Sequence, residues 1–375
     1  MRKESILGLE HIKKHLLSTV ENGRIAHAQL LVGPSGSGTL PLAIFYARAI
    51  LCQKNPDSCH IQMDQLAHPD LHFSFPSAST KETGSKATSD DYLKSFRSFV
   101  KEHPYGNISA WAKYVDLEKK NVEIKVGEGE LIMKKLSLKS YEGGYKVLIM
   151  WQADRMNSEA ANKLLKLIEE PPKNTVILLV AENTDRMLNT IISRCQVIEV
   201  PKLPVSVITA GLQLQNSLNE NESTAIARQA NGDFFKALEL ASNISEDNEF
   251  EELLIKWVRT AYQAKTKPSA ITELINWATA ISSLNREKQQ RFLNYAVEFF
   301  RQAMLLNYKA DRIVYLNPKT GFDLKKFAPF ITGNRMIAVQ EQIETSLYHI
   351  QRNGNGKVIL TDLAIGMTRI LHGPS

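Results

Sequence analysis

Residues Gly33-Pro34-Ser35-Gly36-Ser37-Gly38-Thr39-Leu40 carry the glycine spacing of a loop that cradles phosphates. A working loop of this kind reads G-x-x-x-x-G-K-[ST]. Its backbone N–H groups surround the phosphates, the Lys neutralises charge and the hydroxyl ligates magnesium. Here Thr39 stands at the Lys position and Leu40 at the hydroxyl position. Gly33, Gly36 and Gly38 thus mark a degenerate phosphate loop, in which only backbone N–H groups and a helix N-terminus remain to meet an anion. Hydrolysis also requires carboxylates at the end of a second strand, for magnesium and for the attacking water. After the apolar run Val147–Met150 those places hold Trp151 and Gln152, and Asp154 lies two positions too far along. These residue types predict no intrinsic ATP hydrolysis and point to a chain that acts through a partner.

The elements that must position these residues are legible in part. Short apolar runs at Gln29–Val32, Val147–Met150, Val176–Val180 and Val197–Val200 read as central strands alternating with helical patterns, which predicts an α/β domain with a parallel sheet. The spacing predicts a helix from Asn157 to Glu169, with Asn157 as N-cap, Ala161, Leu164, Leu165 and Ile168 on one face, and Pro171-Pro172 as its stop. Residues 76–91 are rich in Ser, Thr, Lys and Gly and read as an exposed, mobile loop. Residues 92–140 return to order with a mixed pattern. After Pro201 the strand signal fades. Short helices are expected to about Ala241, a polar linker over Asn243–Asn248, and helix throughout Phe250–Leu371. In that last region Trp257, Tyr262, Trp277, Phe292, Phe299 and Phe300 read as core.

The 375 residues carry a net charge of +6, with 43% hydrophobic and 23% charged residues, as expected of a folded chain of two or three domains. The mild basic excess is compatible with nucleic-acid contact. No long apolar run predicts a membrane span and the N-terminus lacks a signal-peptide core. Three cysteines, Cys52, Cys59 and Cys195, are too few for a disulfide framework, which fits a reducing cytoplasm.

Several blocks together resemble the delta-prime family of bacterial DNA polymerase III clamp-loader subunits, in the AAA+ superfamily. They are His27-Ala28, His68-Pro69-Asp70, Ala160-Ala161-Asn162-Lys163-Leu164-Leu165-Lys166, Glu169-Glu170-Pro171-Pro172 and Thr190-Ile191-Ile192-Ser193-Arg194-Cys195. The resemblance implies an α/β AAA+ domain over 1–201, a small helical lid over 202–243 and an all-α collar over 244–375. It further implies a non-hydrolysing subunit that completes an ATPase ring. Arg194, with Ser193 orienting the turn, would be an arginine finger for ATP bound by a neighbouring subunit, offsetting charge on the transferring γ-phosphate. Implied partners are the ATPase motor subunits and the clamp-opening subunit, with the sliding clamp and primer-template DNA reached through the complex. Such a complex belongs to a DNA-directed DNA polymerase holoenzyme.

Two departures from the family pattern accompany the altered loop. Phe235, beside Lys236, takes the place of a nucleotide-sensing Arg, and the sensor threonine is absent near Ala181-Glu182-Asn183. Cys52, Cys59 and His60 fall where the family carries a four-cysteine zinc module, and His68 belongs to a block of its own. Two cysteines do not complete a tetrahedral site, so a metal-free loop is expected and no cofactor is assigned to the chain. Two other readings stand beside the leading one: an ATP-hydrolysing motor-type clamp-loader subunit, and a nucleotide-binding module of another AAA+ assembly.

Overall fold

The computed structural model describes residues 6–53, 56–80, 84, 87–216, 218–242, 244–316, 318 and 320–373, without the side chains of 244–247 and 312. Five strands form one sheet: β1 (Ala28–Val32), β2 (Leu71–Ser74), β3 (Lys146–Trp151), β4 (Thr175–Ala181) and β5 (Gln196–Glu199), in the order β2-β3-β4-β1-β5. Every pairing is parallel, with Leu30 of β1 opposite Leu179 of β4 and Val197 of β5. β3 and β4 are buried along their whole length. Their near-continuous apolar sequence is what a sheet covered on both faces demands.

The sheet departs from the sequence reading at both edges. β2 was not foreseen, because His72 and Ser74 interrupt its apolar residues; it pairs with β3 from Leu71↔Val147 to Ser74↔Met150. β5, expected to be central, is the opposite edge, and its side chains are mostly exposed. The helix Ser158–Glu169 forms as predicted, with the Asn157 side chain accepting a hydrogen bond from the Ala160 N–H at 2.8 Å. Leu167 is buried on its inner face, where Leu165 was expected, and Leu165 is half-buried.

The segment 76–91, read as an exposed loop, is buried near its two ends, while Gly84 between them is exposed. Pro76, Ser77, Ala78, Ala87 and Ser89 are buried, Ser77 bridges Glu123, and Ser89 opens a short 3-10 turn, Ser89–Tyr92. Residues 81–83 and 85–86 lie outside the described residues. Aromatic packing orders the first end, and the buried Glu128 carboxylate holds the second, accepting the Ser89 N–H at 2.8 Å. The helices Leu93–Glu102 and Ile108–Tyr114 bring Phe96 and Trp111 against Phe75, with ring centroids 3.9 and 5.3 Å away, and the Trp111 indole N–H donates to the Pro76 carbonyl at 2.9 Å. That cluster gives the mixed 92–140 stretch its order, together with the helix Val126–Ser137.

The His68-Pro69-Asp70 block ties β2 to the chain entering β3. The Asp70 carboxylate accepts from the Ser140 hydroxyl and the backbone N–H groups of Tyr141 and Glu142 at 2.8–3.1 Å, and buried His68 faces Glu142 at 3.6 Å.

By internal contacts the chain divides into two compact units, 1–239 and 240–375. The helices Val205–Asn216 and Glu220–Ala230 fall within the first. The second is helical, built on Ile244–Gln263, Ser269–Ser282, Arg286–Asn307, Gly333–Gln351 and Gly356–His372. Phe292, Ala296, Phe299, Phe300 and Ala303 line the buried face of the long helix Arg286–Asn307, and Trp257 stacks on Trp277 at 4.8 Å. Three expectations fail here. The helix expected throughout Phe250–Leu371 is interrupted by irregular chain at 314–316 and 320–323. Residues 244–248 of the proposed linker are helical, with 243 outside the described residues. Tyr262, read as core, is 50% exposed.

The Asp70 cluster makes a stability prediction. Asp70→Ala removes the buried acceptor of three part-buried donors, so unfolding free energy should fall by about 1–3 kcal/mol, whereas Asp70→Asn should lose less because it keeps one acceptor oxygen. Urea unfolding of the three proteins checks this, and equal midpoints would refute the tie.

Candidate functional site

The loops at the carboxyl ends of β1, β3 and β4 meet at the crevice where ligands sit in open parallel α/β sheets. The glycine loop leaves β1 there and leads into the helix Thr39–Leu51, capped by Gly38 at φ +94°. Gly36 sits at φ +66°, a conformation natural to glycine. Its carbonyl accepts the Phe234 N–H at 3.1 Å, and a Cβ on Gly36 would collide with the Asp233 carboxylate. Asp233-Phe234 therefore press directly on the loop backbone. From the other side Tyr105 packs against Gly38, its hydroxyl accepting the Leu7 N–H at 2.8 Å, and burial pushes its pKa up to about 12.

What remains is a cavity of about 20 Å³ lined by Ser35, Gly36, Gly38, Thr39, Leu40, Tyr105, Trp151, Gln152, Glu182 and neighbours. That is room for about one water; small-molecule sites are typically about 300–1,000 Å³.

The positions for the acidic pair do structural work. Trp151 is 2% exposed and lies 5.6 and 6.0 Å from Phe96 and Phe99. Gln152 adopts φ +57° and its side-chain amide donates to Glu182 at 3.0 Å. Asp154 is buried, and desolvation raises its carboxyl above the ordinary range. Phe235 is buried edge-on to His103 at 5.9 Å, while Lys236 is exposed.

Arg194 is not among the residues lining this cavity. It follows the short helix Asn189–Ile192, in a turn closed by the Arg194 N–H to Ile191 carbonyl bond. Its Nε contacts a Glu169 carboxylate oxygen, and one terminal nitrogen donates to the Thr190 carbonyl at 2.9 Å. The Ser193 hydroxyl donates to the same carbonyl at 3.3 Å. The Arg194 and Glu169 side chains are 39% and 41% exposed, so the pair contributes only about 0–1 kcal/mol. Its other N–H donors have no partner among the described residues, leaving a forked cation held on two points and open to an anion. Cys195 is half-buried, and burial raises its thiol to about 11, far from a reactive thiolate.

The cysteine reading needs correction. Cys52, at the end of the helix Thr39–Leu51, and Cys59, in the helix Pro56–Asp64, are joined in a disulfide, their Cα atoms 5.4 Å apart. The two helices bring the pair within bridging distance, so neither sulfur is a thiolate ligand and Cys195 is the free cysteine. The His60 side chain is exposed and its carbonyl accepts from Arg48 at 2.7 Å. No group of three or more His, Cys, Asp or Glu suited to a metal occurs among the described residues.

Three participants escaped the sequence reading: Tyr105, Asp233 and Glu169 as the anchor of Arg194. Each reaches its partner from far along the chain, so no local spacing marks it. The one available signal was that Glu169 opens a recognisable block.

A family model described as "DNA polymerase III, delta subunit" matches residues 8–204. Subunit delta' of DNA polymerase III from Bacillus subtilis is 26% identical over 260 residues, covering 68% of this chain and 65% of the relative. The subunit of the same name from Haemophilus influenzae is 28% identical, over 50% of this chain and 46% of the relative. The one from Pseudomonas aeruginosa is 31% identical, over 45% and 42%. The match thus spans between two-fifths and two-thirds of the length of these relatives.

The disulfide predicts a thiol count. Chain denatured without reductant should show one titratable thiol, Cys195, and reduced chain should show three. Three thiols in both samples would mean that the purified protein lacks the bond.

Proposed function

The chain belongs to the DNA polymerase III delta-subunit family, and on that premise we propose that it is a non-hydrolysing subunit of a clamp loader. In this reading it completes a ring of ATPase subunits in the cytoplasm and presents Arg194 to ATP held by a neighbour. Its partners are the motor subunits and the clamp-opening subunit, and it reaches the sliding clamp and primer-template DNA through the complex. The first 201 residues serve as the AAA+ platform, 202–243 as a lid and 244–375 as the collar that joins subunits.

The observation that carries this reading is the phosphate loop closed on a cavity of about 20 Å³. Thr39 and Leu40 remove the cation and the magnesium ligand, Trp151 and Gln152 replace the acidic pair, and Asp233 and Tyr105 cover the loop backbone. Loss of charge alone would leave a weak anion site at a helix N-terminus; filling the crevice removes the space as well. The same geometry disfavours the motor-type reading and that of a nucleotide-binding module for another assembly.

Arg194 supports the second half of the proposal. It stands away from its own phosphate loop, exposed, oriented by Glu169 and Thr190, with donors to spare. An Arg supplied in trans stabilises charge in the phosphoryl-transfer transition state, and a planar fork does so better than an ammonium.

Two experiments test the two halves. The purified chain should bind no magnesium-ATP by equilibrium dialysis, and Thr39→Lys with Leu40→Thr should not restore binding, because Trp151 and Tyr105 still occupy the site. Saturable binding by the unaltered chain would overturn the first half. In a reconstituted loader, Arg194→Ala should leave assembly intact and slow the facing ATP site by about 10³-fold. Total ATPase and clamp loading should fall by that site's share, and Arg194→Lys should rescue poorly. Wild-type rates in a fully assembled Ala variant would make Arg194 an ordinary surface residue.

A further inference from the structure

The helical unit 240–375 contains an open groove that neither the phosphate loop nor Arg194 uses. At one end lies a hollow of about 420 Å³ walled by Val258, Tyr262, Phe322, Phe327, Phe330 and Leu371. Tyr262 is 50% and Phe330 36% exposed, so large apolar surface faces solvent at a concave site. Sharing Arg259 and Gln263 with it is a second, more polar hollow of about 480 Å³, lined also by Glu252, Ile255, Lys256, Thr260 and Thr320.

The charges around the groove are unevenly matched. Asp323 is committed at its edge: its carboxylate accepts the Lys326 N–H at 3.1 Å and lies 3.5 Å from the Lys326 ammonium. Among the described residues lining the second hollow, Glu252 is the one carboxylate. Arg259 and Lys256 lie on the exposed side of the helix Ile244–Gln263, and neither has an ion-pair partner among the described residues. The Arg259 guanidinium rests over the Phe322 ring at 5.6 Å. Such stacking fixes its plane and leaves its N–H edges free for a carboxylate.

We propose that this groove docks an acidic peptide segment of a partner protein, with a large apolar side chain seated among Phe322, Phe327 and Phe330 and a carboxylate on Arg259. A volume of about 420 Å³ is ample for an aromatic or branched aliphatic side chain. Residues 252 to 263 of the wall span about 16 Å of helix, the reach of about five residues of extended chain. A lipid-like carboxylate would bury its whole tail in an enclosed pocket. An open groove with one apolar end and one mixed, more polar end instead suits a chain that continues past its anchor. The proposal is independent of the clamp-loader reading, because it needs only this unit's own residues.

The test uses the full chain and a short fluorescein-labelled peptide of aspartate and serine that ends in phenylalanine, followed by fluorescence anisotropy. Binding should saturate. Arg259→Glu and Lys256→Glu, both exposed and checked for native circular dichroism, should each weaken it about tenfold, and added salt should weaken it further. Phe330→Ala should also weaken it, while Arg259→Lys should retain part of the affinity. Peptides with serine in place of phenylalanine, or lysine in place of aspartate, should not bind, and dodecanoate should not compete. Absence of saturable binding, unchanged binding in Arg259→Glu, displacement by dodecanoate, or self-association of the chain through this face would each overturn the proposal.

Discussion

The architecture of the first unit depends on how the carboxyl end of its parallel sheet is covered. In such a sheet the strand ends and the following helix N-termini leave a polar crevice, and a chain that holds a nucleotide there fills it with ligand. This chain fills it with its own residues. Trp151 joins the aromatic cluster of Phe96, Phe99 and Trp111, Tyr105 sits on Gly38, and Asp233-Phe234 close on Gly36. Close packing of this kind is stabilising only when complete, since a void forfeits contacts on every wall.

The residues of the crevice are therefore coupled through their packing. A carboxylate at position 151 would be buried among aromatic rings without a cation, at a cost far exceeding that of a surface charge. Gln152 turns through a left-handed backbone conformation to reach Glu182, and desolvated Asp154 is held beside the Glu182 N–H at 3.4 Å. The aromatic cluster also accounts for the order of residues 75–78, and buried Glu128, accepting the Ser89 N–H at 2.8 Å, for that of Ser89.

Polar groups of this unit also stand at its surface. Arg194 is one of them: its Nε contacts Glu169 and a terminal nitrogen donates to the Thr190 carbonyl, and an exposed pair of this kind contributes only about 0–1 kcal/mol. Among the described residues, no helix is long and apolar enough to cross a membrane.

The sequence by itself determined the parts whose signals are local. Four strands follow from apolar runs, the helix Ser158–Glu169 from its cap, period and prolines, and the degenerate loop from single residues set against a fixed spacing. The helical character of most of Phe250–Leu371 was legible for the same reason. Tertiary structure alone decided what depends on distant partners. The apolar run of β5 could not reveal that it lies at an edge, nor the composition of 76–91 that Phe75 and Trp111 would anchor its first end. Low cysteine content argued against a disulfide, and only the approach of two helices joined Cys52 to Cys59. Likewise, the missing Lys and acidic pair could be read from residues 39, 151 and 152, whereas the lost volume could not. It arises from Tyr105 and Asp233, far apart in the chain and brought to one loop by packing that no sequence period encodes.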